Sequence, residues 1–214
     1  MPLFQAKDKI FGDLTVPSAR HVGPIGSYGS NANPLFLVSS YVSFTPIYTN
    51  TARTVTTLQF LVTTQATSTG SPLIQIAMYN CRPNQLAPST RIENTLTTGI
   101  DPTTTGVKTI TFSPTWVLPK GLSFFAMNIR ASTSNNTCYV RGYDGNGREG
   151  SFIGNIGAGW PETNPTTEYN NAGVPYLFIG ENASLSSDYT STAIEYAGVG
   201  GGSTHASYVG VFLK

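Results

Sequence analysis

Short segments in which apolar and polar residues alternate dominate this chain and most constrain its fold. Within residues 55–64, Leu58, Phe60 and Val62 occupy alternate positions, and polar residues such as Gln59 lie between them. A period of two residues is typical of a strand with one buried face. Similar apolar patterns predict strands at 35–44, 55–64, 72–80, 91–98, 106–113, 121–131, 137–143, 174–180 and 207–213.

Turn-forming residues separate these segments. Each of the stretches 69–72, 101–102, 119–121 and 144–147 contains two or more Gly, Pro, Asn or Asp residues, and such residues favour tight chain reversals. Many short strands joined by turns predict an all-β antiparallel sandwich, in which two sheets bury their aligned apolar side chains. The only helix that we expect is at most one turn within 191–196.

The domain organisation follows from the same pattern. We expect a sandwich domain at 34–214, with long loops at 145–173 and 198–206 that are rich in glycine. Residues 1–33 predict an extended arm, because proline and glycine interrupt each of their short apolar patches. The arm still carries apolar residues that need a surface to lie on, on its own domain or on a neighbouring subunit: Phe4, Ile10, Phe11, Leu14 and Val16.

The charge content narrows the class of protein further. Only 11% of the residues are charged, against about 25% in an average globular protein, and this excludes a coiled coil. Twelve basic residues balance 11 acidic ones, so we expect no nucleic-acid partner. A net charge of +1 gives little repulsion between copies and favours association. The sequence contains no apolar run of about 18 residues, so we expect no membrane-spanning helix. The first ten residues lack the apolar segment of a signal peptide, and none is predicted.

Residues that carry chemistry are few and scattered. Cys81 and Cys138 are expected to be small buried thiols, although the sequence leaves a disulfide open. His21 and His205 lie near no nucleophile motif, so no catalytic triad is predicted. The segment 144–149 begins like a calcium loop, but Arg148 stands at a ligand position. We therefore expect no catalytic residue, no metal and no cofactor.

Acidic and aromatic residues gather in the last third of the chain. The carboxylates of Glu149, Glu162, Glu168 and Glu181 are interpreted as solvated loop residues rather than as a glycosidase pair, since nothing fixes their separation. Aromatic residues in or near the loops either stack on glycans or pack loops and intersubunit seams; they are Tyr139, Tyr143, Trp160, Tyr169 and Tyr176.

Several motifs between residues 36 and 125 together resemble a known family. They are Tyr41-Val-Ser-Phe-Thr-Pro46, the strand 55–64, Ile74-Gln-Ile-Ala-Met-Tyr79, Thr105-Gly-Val-Lys-Thr-Ile-Thr-Phe112 and Trp116-Val-Leu-Pro-Lys-Gly-Leu122. In order and spacing they resemble the jelly-roll β-sandwich domain of tailed-bacteriophage virion proteins, which occurs in tail fibres, head fibres and capsid decoration proteins. The segment 208–212 resembles the closing strand of that domain.

The resemblance implies a non-enzymatic virion structural protein, assembled in the host cytoplasm. The arm is too short for a fibre shaft at about 3.3 Å per residue, so we expect a capsid decoration or cement protein, in a homotrimer, whose arm binds the major capsid protein. The alternative is a tail-fibre tip or tail adaptor that binds host-surface glycans. A third hypothesis is a glycan-active enzyme that uses the loop carboxylates.

Overall fold

A computed structural model describes residues 34–38, 41–49, 51–67, 69–83, 87–130, 137–144, 174–179, 183–192, 194–197, 207–209 and 211–214. These residues contain no helix, and none of the segments described is a helix long and apolar enough to cross a bilayer. The strands in chain order are β1 (Pro34–Val38), β2 (Tyr41–Thr49), β3 (Arg53–Thr64), β4 (Leu73–Cys81), β5 (Pro88–Arg91), β6 (Thr97–Ile100), β7 (Gly106–Leu118), β8 (Gly121–Arg130), β9 (Thr137–Asp144), β10 (Val174–Phe178), β11 (Glu195–Ala197), β12 (Ser207–Val209) and β13 (Val211–Leu213).

The first sheet is built around β3. Val62 of β3 pairs with Gly106 of β7 and with Val140 of β9, so β7 and β9 lie on opposite edges of β3. β13 pairs with β3 on the same edge as β9, because Phe60 pairs with Lys108 on one side and Val211 on the other. β1 and β12 pair with β9. Every pairing is antiparallel.

The second sheet has the strand order β11-β10-β2-β8-β4, and both β5 and β6 pair with the far edge of β4. Its pairings are also antiparallel. Eight of the twelve steps between consecutive described strands change sheet, among them the steps from β2 to β3, β3 to β4, β7 to β8 and β8 to β9. Gly106 and Gly121 open β7 and β8 at φ values of 113° and 112°, which glycine adopts without strain.

The core fills the space between the two sheets. Alternate residues of β3 and β7 meet alternate residues of β4 and β8, and the largest buried side chain is Trp116, which stacks on Phe112 at 3.8 Å between ring centroids. The other large contributors are Leu58, Phe60, Ile74, Ile76, Met78, Phe125, Met127 and Ile129. The prediction of an all-β sandwich of antiparallel sheets is confirmed.

The second sheet is buried on its other face as well. Residues 183–192, here named the cover segment, lie over β2, β4 and β8 and bury Leu185 and Tyr189 against Phe44 and Phe124. The residues of β4 and β8 are therefore buried in unbroken runs, whereas burial along β3 alternates. The described residues thus form three layers: the first sheet, the second sheet and the cover segment.

Three strand-level predictions are wrong. The single strand expected at 35–44 is two strands in different sheets, because β1 pairs with β9 and β2 pairs with β8. The strand expected at 91–98 is absent from 92–96, where Thr95 instead hydrogen-bonds the backbone of Met78 and Ile92. The single strand expected at 207–213 is two strands, since β12 pairs with β9 and β13 pairs with β3. The described residues within 191–196 contain no helix, and β11 begins at Glu195 and pairs with β10.

The arm at 1–33 and the loops at 145–173 and 198–206 lie outside the described residues. The arm residues Phe4, Ile10, Phe11, Leu14 and Val16 therefore stay predictions.

Candidate interaction surface on the first sheet

The outer face of the first sheet is accessible and is here named the open face. It is formed by the outward side chains of β3, β7 and β9, whose neighbours along each strand point into the core. Strand alternation places on it Thr57, Gln59, Leu61, Thr63, Val107, Thr109, Thr111, Tyr139 and Arg141, all of them exposed or half-buried. Threonine is frequent there because a branched side chain fits the pleated surface of a strand.

Short hydrogen-bonding side chains organise the middle of the open face. The Gln59 Nε2 donates to Thr109 Oγ1 at 3.0 Å across the β3–β7 pair. On the β9 side, Thr63 Oγ1 donates to the carbonyl oxygen of Tyr139 at 3.2 Å. These bonds tie neighbouring strands together, and the face still presents hydroxyl and amide groups to a partner.

A bulge in β3 lies at one end of the open face. The amides of Thr56 and Thr57 both donate to the carbonyl oxygen of Lys214, at 2.7 and 3.0 Å, and Thr56 Oγ1 donates to the same oxygen at 3.0 Å. The Lys214 amide donates back to Thr57 at 2.9 Å. Because Leu213 points into the core, alternation turns the exposed Lys214 side chain outward.

Apolar side chains on the open face lie near the edge of β7. Val107 is 63% exposed and is paired directly with the half-buried Leu61 of β3. Val117, further along β7, is 58% exposed. An accessible mixture of apolar side chains and hydroxyl groups is typical of surfaces that bind other macromolecules.

Arg141 and Lys108 lie on opposite faces of the first sheet. Arg141 is exposed on the open face. Lys108 lies opposite the buried Phe60 on the core side, and its Nζ donates to Thr104 Oγ1 at 2.7 Å.

The hydrogen bond from Thr103 holds the pKa of Asp101 below its usual value, with a smaller contribution from the Lys108 charge.

Where the pKa values of described groups are shifted, the shift is away from neutral pH. Burial raises the pKa of the Cys138 thiol to about 12 and that of Cys81 above its usual value. Burial also raises the pKa values of Tyr79 and Tyr189 beneath the cover segment. These thiols and phenols stay protonated at neutral pH, and a protonated thiol is a weak nucleophile. The described part of the chain brings together no group of three or more His, Cys, Asp or Glu side chains that could hold a metal ion.

Models of protein families, curated proteins and solved structures gave no match to this chain.

The structure separates the aromatic residues that the sequence singled out. Tyr139 lies on the open face, half-buried, next to Thr63. Tyr143 is in β9 opposite Tyr208, and Tyr176 is in β10 of the second sheet, opposite Ser43 and Glu195; only their backbone positions are described. Trp160 and Tyr169 lie outside the described residues.

Sequence reasoning did not single out Arg141, Gln59, Thr109 or Val107 as site residues. The signal was present in the alternation of β3 and β7, since the polar half of each strand must face outward once the apolar half is buried. The alternation does not indicate which of the two sheets has its outer face covered.

Proposed function

We propose that this chain is a non-enzymatic structural protein of a tailed-bacteriophage virion, with capsid decoration as its role. In this proposal the sandwich has jelly-roll connectivity, and the arm at 1–33 holds it on the major capsid protein through Phe4, Ile10, Phe11, Leu14 and Val16. The assembled form is a homotrimer located in the virion.

The observation that carries the proposal is the difference between the two outer faces of the sandwich. The second sheet is closed by its own cover segment, whereas the first sheet exposes a broad face of threonine, valine and tyrosine side chains with little charge. A subunit that assembles needs such an accessible face, and a decoration protein needs no chemistry beyond binding.

The order of the strands supports the jelly-roll part of the proposal. Chain crossings between sheets at β2–β3, β3–β4, β7–β8 and β8–β9 are of the kind that jelly rolls use to close two sheets over each other. The quoted motifs correspond to β2, β3, β4, β7 and the start of β8, in the order in which the family carries them.

Capsid binding by the full-length chain tests the role of the arm. Co-sedimentation with assembled heads that lack the protein is expected for the native chain and lost for the variant Phe4→Ser, Phe11→Ser, Leu14→Ser. The variant Leu96→Ser, which changes an exposed residue outside both the arm and the open face, is the control and should still bind. Equal binding of the arm variant and the native chain would overturn the arm hypothesis, and gold labelling confined to tail ends would overturn the location on the head.

The position of Tyr139 favours a second candidate function, a tail-fibre tip or tail adaptor that binds host-surface glycans. A tyrosine ring can stack on a sugar face, and Thr63 and Arg141 near it supply hydroxyl and guanidinium groups. A glycan array tests this hypothesis: hits that vanish in Tyr139→Ala and persist in Tyr48→Ala, on an exposed tyrosine of the second sheet, support it. An array without hits removes it.

A further inference from the structure

The charges of this nearly neutral chain are segregated along the sequence. Residues 34–143 contain seven basic and two acidic residues, whereas residues 144–213 contain one basic and seven acidic residues. The acidic residues of the second group are Asp144, Glu149, Glu162, Glu168, Glu181, Asp188 and Glu195. A net charge near zero therefore hides a basic part and an acidic part of similar size.

The basic part includes the first sheet. Every described charged side chain on β3, β7, β9 and the residue after β13 is a base: Arg53, Lys108, Arg141 and Lys214. The one acidic residue in these strands is Asp144, at the end of β9, whose side chain is outside those described. Arg141 and Lys214 are exposed, and both are placed on the open face by the alternation of their strands.

Lys214 is fixed on that face by the β3 bulge. Its backbone accepts hydrogen bonds from Thr56 and Thr57 and donates one to Thr57. Because this backbone is already ordered, less conformational entropy is lost when the Lys214 side chain binds a partner. The same face carries exposed hydroxyl groups and the Leu61–Val107 pair, which give a partner hydrogen bonds and apolar contact.

We infer that the open face binds the acidic stretch that follows β9, around Glu149, Glu162 and Glu168, in a second copy of this chain. Opposite charges on two different regions of identical subunits attract one another and orient the encounter. Such a contact is heterologous, since one subunit contributes its open face and the next its acidic stretch. Heterologous contacts generate closed rings when the rotation between subunits closes, which is compatible with a trimer.

This inference rests on the proposed assembly role but does not depend on the virion as the place of assembly. Self-association in solution and binding to heads are separate measurements. Loss of head binding with intact self-association would count against the proposed function alone, and the reverse would count against this inference alone.

Charge reversal on each side of the proposed contact is the first test. The face variant is Arg141→Glu, Lys214→Glu, and the stretch variant is Glu162→Lys, Glu168→Lys. Sedimentation velocity at low salt should show self-association weakened at least about tenfold in each variant, the scale of two lost ion pairs at an interface. The variant Lys120→Glu, Arg130→Glu makes the same charge change on exposed residues outside the open face and should associate like the native chain.

Mixing the two variants separates contact between copies from contact within one chain. A mixture of the face variant and the stretch variant restores opposite charges only between different molecules, so association should return in the mixture. Salt should weaken the native assembly, because ions screen exposed charges within about 10 Å at 0.1 M. Unfolding curves of all variants exclude loss of fold as the cause.

Four results would overturn the inference. The native chain could stay monomeric at all concentrations, or the variants could associate like the native chain. The mixture of variants could fail to associate, or the open face could bind a different ligand. For the last, polygalacturonate serves as an acidic polysaccharide probe: binding that the face variant loses, while its self-association is unchanged, would assign the open face to anionic glycans.

Discussion

At the residue scale, Ser186 in the cover segment is bound from two sides by tyrosines. Tyr79 Oη donates to the Ser186 carbonyl oxygen at 2.6 Å, and the Ser186 amide donates to Tyr189 Oη at 3.0 Å. The two rings lie 5.1 Å apart between centroids, and each also meets Phe44 edge-on. Because Tyr79 belongs to β4 and Tyr189 to the cover segment, this cluster joins the second sheet to the layer above it.

Removing one hydroxyl from this cluster should measurably weaken the fold. Tyr79→Phe leaves the Ser186 carbonyl oxygen without this donor and is expected to lower the free energy of unfolding by about 1 kcal/mol. Urea denaturation of the native chain, Tyr79→Phe, Tyr189→Phe and the double variant checks this. Because both tyrosines bind Ser186, the two losses should not add; strict additivity would show that the two hydrogen bonds act independently.

At the scale of elements, the cover segment is held mainly by side chains that bind its backbone. Arg82 donates through Nε to Pro88 at 3.0 Å and through Nη2 to the carbonyl oxygens of Tyr189 and Thr192. Arg91 and Asn128 donate to the carbonyl oxygens of Leu185 and Ala183, and Gln75 Oε1 accepts from the Leu185 amide. A segment fixed by a few polar anchors can open without disturbing the sheets beneath it.

Arg82→Met is therefore expected to loosen the cover segment locally. The methionine keeps the apolar stem but removes three hydrogen bonds, and hydrogen bonds to charged groups contribute about 1.5–3 kcal/mol each at most. Hydrogen exchange should accelerate at the amides of Leu185, Ser186 and Tyr189 while the β4–β8 pair stays protected. Arg130→Met, at an exposed end of β8, is the control. Uniform acceleration across β4 and β8 would instead mean global unfolding.

The edge strand β7 carries a lysine on its core side, which protects the edge. Lys108 lies opposite Phe60, and an inward charge on an edge strand makes pairing with another strand unfavourable. Lys108→Val should leave the melting temperature equal or higher but increase light scattering of concentrated solutions. Lys120→Val, in the turn before β8, should not. No difference between the two variants would show that the lysine does not guard the edge.

The long strands could be predicted from the sequence, whereas the changes of sheet could not, and the cover segment was missed. β3, β4, β7 and β8 correspond to predicted strands because one or both of their faces bury apolar residues. The passage from β1 to β2 is marked in the sequence only by Ser39-Ser40, two small residues that do not by themselves indicate a change of sheet. For the cover segment a signal existed: Phe124, Phe125, Ala126 and Met127 are consecutive apolar residues, which indicates a strand buried on both faces.

The candidate site was only partly predictable for a related reason. Tyr139 was singled out as an aromatic residue, but the other residues of the same face, such as Gln59, Thr109 and Arg141, come from three strands. Their proximity depends on the register of β3 with β7 and β9, and register is a tertiary property that a single strand does not encode.

At the scale of the whole molecule, buried groups with raised pKa values make the fold sensitive to alkali. The Cys138 pKa is raised by burial from an ordinary value of 9.0 to about 12, and the pKa values of Tyr79 and Tyr189 are also raised. A raised pKa means that the folded chain keeps a proton that the unfolded chain has released. The stability is therefore complete below pH 9 and falls as the pH rises towards 12.

The variant Cys138→Val tests this dependence. One fewer such group should make the fall of unfolding free energy between pH 9.5 and 11 shallower, by up to about 1.4 kcal/mol per pH unit. Urea denaturation at several pH values measures the slope, and Cys81→Val, at a half-buried thiol, is the comparison. Equal slopes for the native chain and Cys138→Val would contradict the assignment.

The bond between Thr56 and Lys214 also has a consequence for the time at which β3 gains its neighbour β13 during synthesis. These residues are 158 positions apart in the sequence, and β13 pairs with β3 over a similar span. During synthesis β3 emerges early, with one of its edges still missing its final neighbours. Contacts between distant residues form slowly, so a nascent chain presents this edge to chaperones and to other nascent chains until residues 211–214 have been made.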